Sequence, residues 1–130
     1  MAQVRFDAVR KVYPNGFVGV AGATFEVADG ELLVLVGPSG CGKSTLLRII
    51  SGLEDLSSGQ VVIGGEDVTE FDPSERGVAM VFQSYALYPH MTVEQNLGFG
   101  LRMGGMPREQ VAERVNEAAR TLELSELLER

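Results

Sequence analysis

The sequence predicts an α/β fold, and three stretches carry that reading. Leu32 to Val36 is a short apolar, β-branched run that breaks at Gly37 into a loop of small residues and resumes as the apolar helix Leu46 to Ile50. Ahead of it, Val4, Phe6 and Ala8 alternate with Arg5 and Asp7, as in a half-buried strand. Behind it, Gly77 to Phe82 is a second apolar run of strand length, ending in the polar Gln83, and strand ends are where open α/β sheets place ligand groups.

In chain order, the first strand continues through Lys11, Val12 and Tyr13 into the turn Pro14-Asn15-Gly16. A tyrosine at a strand end can stack on a nucleotide base, although from position alone packing is the plainer role. Ala23 to Ala28 alternates again, and the turn Asp29-Gly30 predicts a hairpin that pairs it with Leu32 to Val36. The run Leu32 to Val36 and the run Val78 to Phe82 read as central parallel strands covered on both faces. Ser57-Ser58-Gly59 is a turn, Gln60 to Ile63 a short strand and Gly64-Gly65 another turn, and Asp67 to Ser74 is a polar loop with Pro73.

The segment Ser84 to Thr92, SYALYPHMT, is too apolar to be only solvated, so it folds back on its own domain or meets another protein. His90 has no carboxylate or nucleophile spaced to use it and reads as a surface residue. Thr92, with Glu94 and Gln95 in the first turn, starts a helix close to capping-box chemistry, which the glycines at 98, 100, 104 and 105 weaken and end. Pro107 opens another helix whose Val111, Val115, Ala118 and Leu122 predict one buried stripe. Ser125 to Arg130 reads as a last helical turn.

The loop at the centre fits GxxxxGK[ST], with Gly37, Gly42, Lys43 and Ser44 in the required places between a strand pattern and a helix pattern. A polyphosphate needs several backbone N–H donors aimed at one anion, and side chains would block that approach. Gly40 and Gly42 keep it open, and Ser39 and Cys41, the small residues before and between them, are read with them as cofactor-binding. The helix that follows begins with unpaired N–H groups and a partial positive charge, so Lys43, Ser44 and Thr45 offer donors to β- and α-phosphates. Lys43 is expected to reach the β- and γ-phosphates, Ser44 to give one oxygen to Mg²⁺, and Thr45 to support the α-phosphate. Helix-terminal potential can activate the Cys41 thiol, but without a histidine or second cysteine beside it a small loop residue is the plainer reading. The Gln83 amide is suited either to Mg²⁺ and a water molecule or to capping a strand against solvent.

Composition narrows the function. At 130 residues the expectation is one small domain, and 45% hydrophobic with 22% charged residues is ordinary for a globular chain. The net charge of −7 argues against a nucleic-acid or anionic-membrane binder. No apolar stretch suits a signal peptide or a membrane span, so the expectation is a cytoplasmic protein without direct membrane insertion, reaching a membrane through a protein partner. One cysteine and one histidine leave no zinc-type cluster.

With these residues in place, the chain resembles the ATPase subunits of ATP-binding cassette importers along essentially its whole length, nearest the carbohydrate branch of maltose or glycerol-phosphate type. GPSGCGKSTLLR at Gly37 to Arg48, ERGVAMVFQSYALYPHMTV at Glu75 to Val93 and the helix MPREQVAERVNEAARTLEL carry the likeness. The resemblance implies a P-loop NTPase core with an antiparallel β portion, about residues 1–83, and the start of a helical subdomain, about residues 84–130. It implies ATP and Mg²⁺ as cofactors, Tyr13 as the ring that stacks on adenine, and Gln83 as a contact to Mg²⁺ and the attacking water. It implies transmembrane permease subunits and a second ATPase subunit as partners, with docking near Tyr85 to His90, and a place on the inner face of the plasma membrane. The family's LSGGQ loop, acidic strand with catalytic Glu and switch histidine do not occur in these 130 residues, so turnover by them alone is not expected.

Overall fold

The computed structural model describes residues 2–130, which form two compact units, one ending at Met80 and the other Val81–Arg130. In the first unit the described residues build a four-stranded antiparallel sheet of order β2-β1-β3-β4: β1 Val4–Val12, β2 Val18–Val27, β3 Ser58–Ile63 and β4 Glu66–Asp67. The Pro14-Asn15-Gly16 turn joins β1 to β2. Its ends are tied by Tyr13 N–H to Phe17 O (2.8 Å) and Gly16 N–H to Tyr13 O (2.9 Å).

The apolar faces of β1, β2 and β3 meet the helix α1, Lys43–Ile50. Phe6, Val9, Val20, Val61 and Val68 are buried with Ile49 of α1, and Phe25 stacks on Phe6 at 4.7 Å between ring centroids. Burying a side chain such as Phe6 or Ile49 contributes about 1.5–3 kcal/mol, so this cluster is what holds the helix to the sheet.

Several expectations change here. The predicted hairpin between β2 and residues 32–36 is absent among the described residues: β2 pairs with β1 instead. Residues 32–36 and 78–82 are not strands, and Leu32, Val36 and Val81 are 87%, 89% and 88% exposed. A run of apolar, β-branched residues is a strand only when another segment satisfies its backbone groups, and neither run has such a neighbour among the described residues. The alternation in β1 also slips, because Ala8 has φ 48° and forms a bulge that exposes it and turns Val9 inward. Ala8 N–H then bonds the Thr24 hydroxyl (3.0 Å) rather than a strand carbonyl.

Arg76 ties the C-terminus of α1 to the segment after β4. Its buried guanidinium donates to the carbonyls of Ile49 (2.7 Å), Ile50 (3.3 Å), Thr69 (3.0 Å) and Phe71 (2.9 Å). A cation there meets the negative end of the helix dipole. Burial pulls its pKa below the ordinary arginine value, opposed by Asp55 and Glu70, and the group stays protonated at neutral pH.

The second unit is an α-hairpin of α2, Val93–Met103, and α3, Arg108–Thr121. Thr92 caps α2 as expected: its hydroxyl accepts from Gln95 N–H (3.2 Å) while the Gln95 side chain accepts from Thr92 N–H (3.1 Å). The next two N–H groups, of Val93 and Glu94, donate to the carbonyls of Arg130 and Leu128 (2.9 and 3.0 Å), so the chain end closes on the start of the hairpin. Gly98 lets α3 approach, since a Cβ there would lie 3.1 Å from Val111 Cγ1.

The buried stripe of α3 is Val111, Val115 and Ala119, not the predicted line through Ala118 to Leu122. At 3.6 residues per turn the i+8 position stays on the face that i and i+4 define, and Leu122 lies beyond the last turn, exposed. Tyr88 folds back against Phe99, with ring centroids 4.6 Å apart, whereas Tyr85 and Leu87 remain exposed.

Replacing Arg76 with methionine keeps the stem and removes every donor, leaving the Ile49 carbonyl without its charged partner. Urea unfolding should show a loss of about 2–3 kcal/mol, and a change below about 0.5 kcal/mol would mean that Arg76 is not the tie described.

Candidate functional site: a phosphate loop against strand β2

The glycine loop enters α1 without a side-chain cap, through Gly42 at φ 95°. That left-handed conformation costs a residue with a Cβ about 1–2 kcal/mol, and at Gly42 a second constraint applies: a Cβ would lie 2.3 Å from the Gly19 carbonyl oxygen of β2. Gly40, at φ 81°, has no heavy atom within 4 Å of the place its Cβ would take, so that side of the loop is open. The two glycines thus do different things. Gly42 seats the loop on the sheet, and Gly40 leaves its mouth clear.

A cavity of about 370 Å³ lies at this point, lined by Tyr13, Phe17, Gly19, Gly40, Gly42, Lys43, Ser44 and Thr45. None of these residues is acidic, so inside a chain of net charge −7 the lining carries one lysine and the N-terminus of α1. The first-turn N–H groups of Lys43, Ser44 and Thr45 have no side-chain acceptor there. Open backbone donors, a lysine and a clear mouth fit a polyphosphate; the same donors have nothing to offer an apolar ligand.

The Lys43 ammonium spans the loop, donating to the carbonyls of Gly37 (2.8 Å) and Pro38 (2.7 Å), with Cys41 Sγ at 3.5 Å. The Cys41 side chain turns toward Gly37, where an added Cβ would lie 2.7 Å from the sulfur. Gly37 is therefore small to admit the thiol. Ser39 is exposed on the turn at the loop tip, and Cys41 N–H closes the turn on Pro38 O (3.4 Å).

Tyr13 stands at the rim, half-buried, with its hydroxyl 3.5 Å from Thr45 Oγ1 and Phe17 beside it at 6.0 Å between centroids. Gly19 makes room for that ring, because a Cβ there would lie 2.7 Å from Tyr13 Cε2 and 3.4 Å from Thr45 Cγ2. Phe17 and Gly19 were not read as site residues from the sequence. The signal for Gly19 was present: a glycine inside the strand pattern Val18-Gly19-Val20 marks a close backbone approach. Gln83 lies on an exposed turn in the second unit. Among the described residues no three His, Cys, Asp or Glu side chains gather as a metal site, and no helix is long and apolar enough to cross a membrane.

The profile of the ABC transporter family matches residues 20–130. The chain belongs to the ABC transporter family. Over all 130 residues it is 56% identical to the sn-glycerol-3-phosphate import ATP-binding protein UgpC of Jannaschia sp. (strain CCS1) and 57% identical to the lactose transport ATP-binding protein LacK of Rhizobium radiobacter. It spans 37% and 36% of the length of these relatives. Among solved structures it is similar to the ATP-binding cassette MJ0796, in a dimeric post-hydrolysis state bound to ADP and Pi. That likeness has a TM-score of 0.86 and 28% identity, over 98% of this chain and 60% of the other. A second ABC cassette, MJ1267, gives a TM-score of 0.85 at 28% identity, over 100% of this chain and 57% of the other. The ABC fold class is thus secure for an antiparallel sheet with its phosphate-loop helix and a helical second part.

The two loop glycines can be separated experimentally. Gly40→Ala meets conformational strain alone and should cost about 1 kcal/mol, whereas Gly42→Ala adds a backbone clash with Gly19 and should cost about 3 kcal/mol. Parallel thermal unfolding measures both. Equal costs would show that the Gly42 approach to β2 does not hold the loop.

Proposed function

We propose that this chain binds Mg·ATP at the phosphate loop and serves as the ATP-binding part of an ABC importer for a sugar or a polyol phosphate. The observation that carries the reading is the cavity at the head of α1, where Gly42 packs on β2 and Tyr13 stands at the rim. The backbone N–H groups of Gly42, Lys43, Ser44 and Thr45 hold phosphate oxygens, with Ser39, Gly40 and Cys41 forming the open side. Lys43 exchanges its carbonyl partners for the β- and γ-phosphates, a favourable trade because hydrogen bonds between two charged groups are about twice as strong as neutral ones. The Ser44 hydroxyl would give one oxygen to Mg²⁺, and Tyr13 takes the adenine. Mg²⁺ held there would supply charge neutralisation to the phosphates.

The names of UgpC and LacK as import and transport ATP-binding proteins support the substrate class and a permease partner, and the dimeric MJ0796 cassette supports a second ATPase subunit. In the second unit, a cavity of about 830 Å³ beside His90, Met91, Phe99 and Met106, with Tyr85 and Leu87 exposed nearby in sequence, suits contact with a permease. The protein then sits on the cytoplasmic face of the plasma membrane through that partner. A second reading, nucleotide binding without turnover, is favoured for these 130 residues taken alone, since no apolar strand ending in Asp-Glu occurs in them.

Calorimetric titration with Mg·ATP and with inorganic triphosphate tests the assignment. Lys43→Ala should lose detectable binding of both ligands. Tyr13→Ala should weaken ATP by about 1–3 kcal/mol and leave triphosphate as it was. Unchanged ATP affinity in Lys43→Ala would sink the phosphate-loop assignment, and equal losses of both ligands in Tyr13→Ala would make that ring packing.

A further inference from the structure

Beside Tyr13 lies a group that the nucleotide reading leaves unused. The Lys11 ammonium sits 5.1 Å from the centroid of the Tyr13 ring, within the range of a cation–π contact. It is held there by Glu54 Oε1 at 2.6 Å and by the Asp55 carbonyl, also at 2.6 Å. The Lys11 and Glu54 side chains are only 12% and 19% exposed. A flexible lysine at the end of β1 is thereby fixed by the loop after α1, and the tie alone does not require the ammonium to stop over a ring.

Lys11 does not line the 370 Å³ cavity, although Tyr13 does. The cation therefore touches the ring from outside the ligand space. The ring's remaining surroundings are as confined: Gly19 under its Cε2 edge, Phe17 stacked on it in an offset arrangement at 6.0 Å, and Thr45 at its hydroxyl.

We propose that Lys11, clamped by Glu54, is a positioning residue for base recognition: from outside the cavity it holds the Tyr13 ring in the orientation in which a purine meets it. The proposal rests on the nucleotide-binding reading of the same site. Two physical effects act together. The contact restricts the ring's rotation, so less side-chain freedom is lost when a base stacks on it. The ammonium also draws π density toward itself, which leaves the rest of the ring less negative and eases stacking of an electron-rich purine. Because Glu54 balances the charge of Lys11, the pair adds little attraction for phosphates, and its influence should fall on the base and not on the triphosphate.

The test uses the 130-residue chain with Mg·ATP and inorganic triphosphate as probes, in the wild type, Lys11→Met, Lys11→Arg, Glu54→Gln and Lys11→Met combined with Tyr13→Ala. Lys11→Met should weaken ATP about three- to ten-fold with triphosphate affinity unchanged. Lys11→Arg, which keeps the cation and can still pair with Glu54, should restore ATP affinity to within about two-fold of the wild type. Glu54→Gln should move ATP in the same direction as Lys11→Met. In the Tyr13→Ala background Lys11→Met should have no further effect, since the cycle isolates what passes through the ring. An unchanged ATP affinity in Lys11→Met, an equal loss of both ligands in Lys11→Met and Glu54→Gln, or an effect that persists without the Tyr13 ring would each overturn the proposal while leaving the phosphate site standing. A wild-type chain that binds neither probe would overturn both together.

Discussion

The contact on which the rest depends is the approach of Gly42 to the Gly19 carbonyl. Two backbones meet there with no side chain between them, at a spacing that no Cβ could share. It fixes where the glycine loop ends and α1 begins, and so where the first-turn N–H groups point. The sheet supplies the fixed side of that contact, because β2 is held to β1 by its ladder and by the buried cluster of Phe6, Val9, Val20 and Ile49. A binding loop is useful only when a rigid scaffold aims it. Here the scaffold acts through a pair of glycines.

Two buried or half-buried cations extend the same logic to the C-terminal end of the helix and the loop that follows it. Arg76 gathers the last carbonyls of α1 and those of Thr69 and Phe71, while Lys11 reaches from β1 to the loop that leaves α1. Neither charge lines the cavity at the head of the helix. Each is neutralised locally, by carbonyl dipoles or by Glu54, so the positive potential of the site comes from Lys43 and the helix terminus alone among its lining residues. This arrangement allows an anion site within a strongly acidic chain.

The glycine loop leading into α1 was legible in the sequence because its signal is local: the spacing of Gly37, Gly42, Lys43 and Ser44, and the apolar turn after it, lie within one short stretch. The Thr92 capping box was legible for the same reason. Strand identity was not. Residues 32–36 have every local mark of a strand, but pairing is decided by distant segments, and the described residues pair β2 with β1 instead. The Ala8 bulge broke an alternation that looked regular, and on α3 a one-residue difference in period moved the stripe from Ala118 to Ala119. Arg76 left no mark at all. Its role exists only once the carbonyls of Ile49 and Thr69 have been brought together.

The central claim is that the donors at the head of α1, aimed by Gly42 against β2, take a phosphate chain. Backbone amide resonances of isotope-labelled protein, followed while Mg²⁺ and inorganic triphosphate are added, address it residue by residue. The account predicts that the amides of Gly40, Gly42, Lys43, Ser44 and Thr45 shift together and saturate with a single Kd, while those of α3 do not move. Shifts centred on other residues, or none in that loop at saturating triphosphate, would contradict it.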